Sequence, residues 1–374
     1  MKIRAAVLEQ SGLPGPYVDS KPLRITEVEL APPGPGEVLV RIAAAGICHS
    51  DLSVIEGVRP RPLPMVIGHE SAGVVEEVGP YVQGLAKGDH VVSVFVASCG
   101  HCLPCAEGRP ALCEPGAVAG AAGTLLGGGR RLSLGGAVLN HHSGISGFAE
   151  YATVSRHSLV KVPRDIALEE AALFGCAVLT GVGAAVNSAH IQLGSSVAVI
   201  GMGGVGLAAM LGALAAGAER VVAIDTHDSK LEMARSLGAT DTFNAKQEGV
   251  ADAIREATRG GVDVVLEMAG AASALELGYT ITRRGGQLVT AGLPPPHAML
   301  SISAVSLVGE EKTVRGSYMG SSVPLRDLPR YIELFRRGRL PIDRLVTHRL
   351  PLDDINLGMD RLQQGTAIRQ IVTM

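Results

Sequence analysis

The sequence predicts an α/β protein in which a β-rich domain is interrupted, in chain order, by a doubly wound parallel sheet. Three observations predict it. Ser195–Lys230 reads as strand, glycine turn, helix and strand ending in an acid. The stretch before it alternates short β-branched runs with Gly/Pro turns such as A-P-P-G-P-G-E. The stretch after it alternates apolar runs with helical segments, the pattern of a parallel sheet.

The central stretch carries the most local information. Val197–Ile200 leads into Gly201, Gly203, Gly204, Val205 and Gly206, an Ala/Leu-rich segment follows, and Val221–Ile224 ends in Asp225. In this Rossmann pattern the glycines have separate tasks: a tight turn, close backbone approach to a pyrophosphate, and close helix-on-sheet packing. The helix start after them offers free N–H groups to phosphate. Asp225 is placed to accept hydrogen bonds from an adenosine ribose, which favours NAD over NADP because a 2′-phosphate would meet a like charge. The alternative is a membrane span, since over twenty uncharged residues run together. Six glycines between Gly201 and Gly217 and the strand close behind argue against it.

At 374 residues the chain has room for two cores, and a net charge of −3 gives no electrostatic case for nucleic acid or an anionic membrane. The start, M-K-I-R-A-A-V-L-E-Q, has no secretory apolar region, so a cytoplasmic location is expected. In that reducing compartment six cysteines are expected as metal ligands rather than disulfides.

Taken in order, Ile3–Leu8, Leu23–Leu30 and Glu37–Ala45 read as strands. Cys48 and His69 follow, in G-I-C-H-S-D and G-H-E-S-A-G-V-V; on spacing alone either residue fits packing as well as metal. Cys99, Cys102, Cys105 and Cys113 are more specific, because four closely spaced thiolates close a tetrahedral structural zinc site. Only Arg109 is basic within that lobe, against a nucleic-acid knuckle. The Gly/Ala-rich stretch 116–147 reads as a long loop near an active-site mouth. Leu168–Asn187 reads as one helix with Cys176 and Thr180 a turn apart on one face. Ser229–Leu237 reads as a helix stopped by Gly238, and Asp263–Glu267, Gly286–Ala291, Ser301–Val308 and Thr313–Tyr318 as later strands, the last two able to pair with a second copy.

G-I-C-H-S-D, G-H-E-x-A-G-x-V and G-M-G-G-V-G together resemble the zinc-dependent alcohol dehydrogenases of the medium-chain dehydrogenase/reductase superfamily, over essentially the whole chain. The resemblance implies a GroES-like catalytic domain from residues 1–177 and 322–374 and an NAD-binding Rossmann domain from 178–321. It implies two zinc ions per chain: a catalytic one on Cys48, His69 and Cys176, and a structural one on Cys99, Cys102, Cys105 and Cys113. Asp51 and Glu70 match acids that orient ligands or approach the metal, and Ser50 the hydroxyl that takes the substrate proton. His49 and Arg369 match residues on the cofactor pyrophosphate. Thr180 belongs with the cofactor residues. Lys230 matches a second ribose contact, or is a solvated helix lysine. Phe95 and Tyr318 fall at substrate-pocket positions, with Arg59 either selecting polar substrates or facing water. The implied reaction is NAD-linked interconversion of an alcohol with an aldehyde or ketone, in a homodimer; the alternative is a reductase of an activated C=C or C=N bond. Ser53 stands where many relatives carry a proton-relaying histidine.

Overall fold

The computed structural model describes residues 1–374, which form two compact units. One comprises Met1–Cys176, Val323–Arg330 and Val346–Met374; the other comprises Ala177–Ser322 and Tyr331–Leu345. The sequence reading divides the chain after residues 177 and 321, and the contacts divide it after Cys176 and Ser322. Tyr331–Leu345 departs from the expectation that everything after 322 is catalytic: the helix Pro324–Arg336 starts in one unit and ends in the other.

The first unit is built on two β-systems. A small closed barrel joins Lys2–Leu8, Leu23–Leu30, Leu132–Leu134, Ala137–His141 and Met65–Val66. A larger sheet orders Leu159–Val162, His90–Ser93, Ser71–Val78, Glu37–Gly46, Arg369–Thr373 and Val346–Pro351, with Tyr151–Ser155 also paired to Glu37–Gly46. The last strand of the chain therefore lies in register beside Ala44–Gly46. One core cluster packs Leu52 and Ile55 from the helix His49–Ile55 with Ile67, Phe148 and Val372.

Two expectations are corrected here. The stretch 116–147 is not a plain loop: it finishes the helix Glu114–Ala122 and makes the hairpin Leu132–Leu134 with Ala137–His141. Its Gly/Ala composition reflects tight turns rather than a linker, with Gly123, Gly128, Gly135 and Gly136 all at positive φ. Nor is Leu168–Asn187 one helix. It breaks at Cys176, whose φ/ψ of −136/−72 is not helical, into Leu168–Ala171, a 3₁₀ turn to Gly175, Ala177–Gly183 and a π turn to Ser188. Cys176 and Thr180 therefore do not share one helix face.

The second unit holds six parallel strands, ordered Asp241–Asn244, Arg220–Asp225, Ser196–Ile200, Val262–Glu267, Thr282–Thr290 and Thr313–Gly316. Strand order reverses between Ser196–Ile200 and Val262–Glu267, and such a switch point opens a ligand crevice at the strand C-termini. The helix Gly204–Ala215 is apolar nearly all round because it is buried nearly all round. A Cβ on Gly212 would lie 2.9 Å from Val182 Cα, so the close approach of helix Ala177–Gly183 requires glycine. No single helix is long and apolar enough to cross a membrane. The expected strand Ser301–Val308 is instead the helix Ala304–Gly309, capped by the Ser303 hydroxyl on Ser306 N–H. Thr313–Gly316 is a strand and forms one edge of the sheet.

Candidate active site

Cys48 ends the strand Glu37–Gly46 region and caps the helix His49–Ile55. Its N–H donates to Asp51 Oδ2 at 3.0 Å, so the acid three residues on closes a capping box. The other carboxylate oxygen, Oδ1, accepts Nδ1–H of His69 at 2.8 Å. One fully buried carboxylate thus ties a backbone N–H beside one donor to the ring of another. With its proton on Nδ1, His69 turns the Nε2 lone pair the other way, as a metal ligand requires. Gly68 lets His69 reach this place: its φ is +99°, and a Cβ there would lie 2.6 Å from Phe148 N.

Cys176 completes the group from the helix break. Donor atoms of Cys48, His69, Glu70 and Cys176 all lie within 4.8 Å of one another, and all four residues are buried. The hydrogen bond between the two thiols drives Cys48 well below the ordinary thiol pKa and Cys176 well above it. Burial pushes Glu70 up to about 7, against the pull of Arg369. Glu70 Oε2 accepts from the Arg369 guanidinium, while Oε1 has no hydrogen-bond partner and lies 3.8 Å from His69 Nε2. Two thiols, an imidazole nitrogen and an orphaned buried carboxylate oxygen form a donor set suited to zinc. The ring of Phe95 packs edge-on to His69 at 5.7 Å, so this expected pocket residue lies against the site.

The second cluster is independent. Sγ atoms of Cys99, Cys102, Cys105 and Cys113 lie within 4.8 Å of one another, and no cysteine is in a disulfide. Cys102 and Cys113 sulfurs are 3.9 Å apart. A tetrahedron with Zn–S of about 2.3 Å has edges of about 3.8 Å, so the four thiols fit the ion. N–H groups of Cys99 and Gly116 point at Cys113 Sγ, and that of Cys102 at Cys99 Sγ, the sort of donors that stabilise bound thiolates. His101 stays outside, with Nδ1 3.0 Å from the Cys99 carbonyl oxygen.

In the other unit the glycine turn is tight. Gly201 has φ +93°, and a Cβ on Gly206 would lie 1.6 Å from Gly201 carbonyl oxygen, so neither position admits a side chain. Around Gly203 nothing lies within 4 Å of a notional Cβ, which leaves its backbone open to a ligand. Asp225 ends its strand almost buried, accepting Met202 N–H at 2.6 Å and His227 N–H at 2.9 Å. The acid and the glycine turn are thus one hydrogen-bonded structure. Thr180 is buried in helix Ala177–Gly183, Lys230 lies in the helix Asp228–Ser236, and Tyr318 is exposed just past the strand Thr313–Gly316.

The remaining expected residues divide. Ser50 is half-buried in the first turn after Cys48, His49 beside it is exposed, and the Arg59 N–H bonds Ser53 carbonyl oxygen. Arg369, expected on a pyrophosphate, is buried against Glu70, with its Nε left without a partner. Two residues escaped the sequence reading. His142 lies against Asp51 and His69, and only its place in the pair His141–His142 hinted at a role. Glu267 is fully buried at the switch point, where Oε1 accepts Ala269 and Gly270 N–H and Oε2 accepts the Thr290 hydroxyl. In the sequence it is only the last residue of the strand run Asp263–Glu267.

Comparison with known proteins agrees with this geometry. Residues 34–164 match the alcohol dehydrogenase GroES-like domain, and residues 204–337 the zinc-binding dehydrogenase family. The chain is 39% identical to the S-(hydroxymethyl)glutathione dehydrogenase of Synechocystis sp., over 100% of both proteins. Among solved structures, an alcohol dehydrogenase zinc-binding domain protein from Burkholderia ambifaria superposes with TM-score 0.94 at 38% identity, covering 100% of this chain and 99% of that one. Benzyl alcohol dehydrogenase from Acinetobacter calcoaceticus superposes with TM-score 0.93 at 33% identity, again covering 100% and 99%. With its two thiol-rich donor clusters and its glycine-turn cofactor unit, the chain belongs to the zinc-dependent alcohol dehydrogenases of the medium-chain dehydrogenase/reductase superfamily, oxidoreductases of alcohols and aldehydes that use zinc and a nicotinamide dinucleotide.

Proposed function

We propose that the protein is an NAD-dependent dehydrogenase that holds its catalytic zinc on Cys48, His69 and Cys176 and its structural zinc on Cys99, Cys102, Cys105 and Cys113. The observation that carries this reading is the buried donor group backed by Asp51. A bound zinc ion supplies a Lewis acid that brings an alcohol's proton loss toward neutral pH. The chain's own residues do the rest. Asp51 fixes the His69 tautomer and the Cys48 backbone, and Glu70 keeps one oxygen unpaired beside the ligand atoms. Ser50, two residues after Cys48, takes the alcohol proton. Gly201, Gly203, Gly204, Val205 and Gly206, with Thr180, Lys230, His49 and Arg369, hold the dinucleotide, and Asp225 selects NAD by its ribose hydroxyls.

Phe95 and Tyr318 favour a medium-sized apolar or aromatic alcohol or aldehyde, in keeping with the benzyl alcohol named for the Acinetobacter relative. The Synechocystis relative's S-(hydroxymethyl)glutathione is the second substrate to try. The enzyme forms a homodimer through the edge strand Thr313–Gly316, every residue of which is exposed. It works in the cytoplasm, where its six thiols stay reduced for metal. The test is NADH formation across primary, secondary and aromatic alcohols and S-(hydroxymethyl)glutathione, with metal content measured on the same sample. Activity that survives complete removal of the more labile metal would refute the reading.

A further inference from the structure

His142 is buried, yet no part of the reaction described above requires it. It follows directly on the strand Ala137–His141, where Met65 and Val66 pair with Asn140 and His141. Its own N–H donates to Val66 carbonyl oxygen at 3.3 Å, so the ring's root is fixed by a β-ladder. From there Nδ1 reaches to 3.2 Å from Asp51 Oδ1, and the ring lies edge-on to His69 with centroids 5.2 Å apart.

We propose that His142 is a positioning residue for the metal: it holds the Asp51 carboxylate, and through it fixes the His69 ring and the Cys48 backbone. The inference rests on the assignment of Cys48, His69 and Cys176 as the catalytic metal site. Oδ1 of Asp51 lies within hydrogen-bond reach of both imidazoles, while Oδ2 is held by Cys48 N–H. Without His142, one hydrogen bond to each oxygen would remain, and the carboxylate plane could rock about the line between them. A third donor, rooted on a different β-element, removes that freedom.

The tautomer follows from the neighbours. Gly68 N–H also points at His142 Nδ1, at 3.2 Å, so two groups claim one nitrogen. A single ring nitrogen donates or accepts, but not both. Charge-assisted hydrogen bonds are roughly twice as strong as neutral ones, so the carboxylate wins and the proton sits on Nδ1. Both histidines thus donate to one acid, and only His69 continues to the metal. Residues that orient a ligand in this way typically carry 10–100-fold effects on metal affinity or activity, by an order-of-magnitude expectation.

The test uses the full-length, metal-loaded protein and two substitutions. His142→Phe keeps an aromatic ring against His69 but removes the donor, and His142→Asn returns an amide N–H near the Nδ1 position. Metal release into a chelator is followed for each protein. The four-cysteine site serves as an internal control, and the visible spectrum of the cobalt(II)-substituted Cys48/His69/Cys176 site gives a readout independent of turnover. In His142→Phe, release from that site is expected to quicken by about 10–100-fold with shifted cobalt bands, while the four-cysteine site is unchanged. His142→Asn should recover most of both effects. Wild-type release and an unchanged cobalt spectrum in a folded His142→Phe protein would overturn the proposal. So would a His142→Asn protein as labile as His142→Phe, since ring shape would then be what matters. A wild-type protein holding a single metal, on the four cysteines, would overturn the site assignment itself and the proposal with it.

Discussion

Replacing Asp225 by serine is expected to move cofactor preference from NAD toward NADP. Two energies add. The carboxylate is lost as a charged acceptor for the ribose hydroxyls, which costs NAD about 1.5–3 kcal/mol. A 2′-phosphate about 5 Å from that carboxylate is repelled by about 0.8 kcal/mol per charge pair in water and about 3 kcal/mol at an effective dielectric constant of 20; removing the charge returns this to NADP. The carboxylate is almost buried but ends its strand next to the open glycine turn, so solvent reaches the ligand side and favours the lower half of the sum. The ratio of kcat/KM values for NAD and NADP should therefore fall by about 10²–10³. The acid also accepts Met202 and His227 N–H on separate oxygens, and serine offers one oxygen on a shorter side chain, so the variant should destabilise the fold by about 1–3 kcal/mol. Steady-state kinetics with both cofactors and one alcohol, at fixed ionic strength, separates selectivity from the stability loss read by thermal unfolding. A folded variant with the wild-type ratio would refute the reasoning, and so would a wild-type enzyme that already prefers NADP.

Each active chain should carry two zinc ions, with the Cys48/His69/Cys176 ion leaving first under chelation and taking activity with it; elemental analysis finding one zinc per fully active chain would contradict this. Ser50→Ala should lose most activity while metal and dinucleotide binding survive, and Ser53→His should alter the pH–rate profile mainly below about pH 7–8, where a nearby base helps most. Near-normal turnover in metal-replete Ser50→Ala would remove the serine relay. His141 gives a stability prediction: burial, helped by Arg130 and Arg131, pushes it down to about 3, against about 6.5 in an unfolded chain. Its contribution is present above about 6.5 and is lost as pH falls toward 3, because the unfolded state binds the proton first. Thermal midpoints should drop through that window, and a His141→Asn variant with an equally steep drop would show that another group is responsible. Solution scattering at micromolar concentration should find a dimer, and charge introduced by Val314→Lys on the edge strand should weaken it; a wild-type monomer would exclude the edge pairing.

What the amino-acid sequence by itself determined was whatever depends on near neighbours in the chain. The glycine turn was legible because Gly201 and Gly206 answer to backbone geometry and contacts five residues apart, and Asp225 because a strand–turn–helix–strand has a fixed length. The four-cysteine lobe was legible because its spacing alone brings four thiols together. Cys48, His69 and Cys176 were a different case. They are far apart in the chain, and only the resemblance grouped them before the fold did. Asp51 capping its own helix is local; the same acid reaching His69 and His142 is not. Helix and strand propensity misled where tertiary contacts or caps decide: Ser303 turned an apolar run into a helix, and Cys176 broke one that looked continuous. Arg369 met Glu70 only because the final strand pairs with Ala44–Gly46, nearly the whole chain away. A sequence pattern encodes which torsions and faces a segment prefers. Which distant side chains then share one buried volume follows from how the sheets and barrel close, and that is where the metal donors, their shared carboxylate and His142 were brought together.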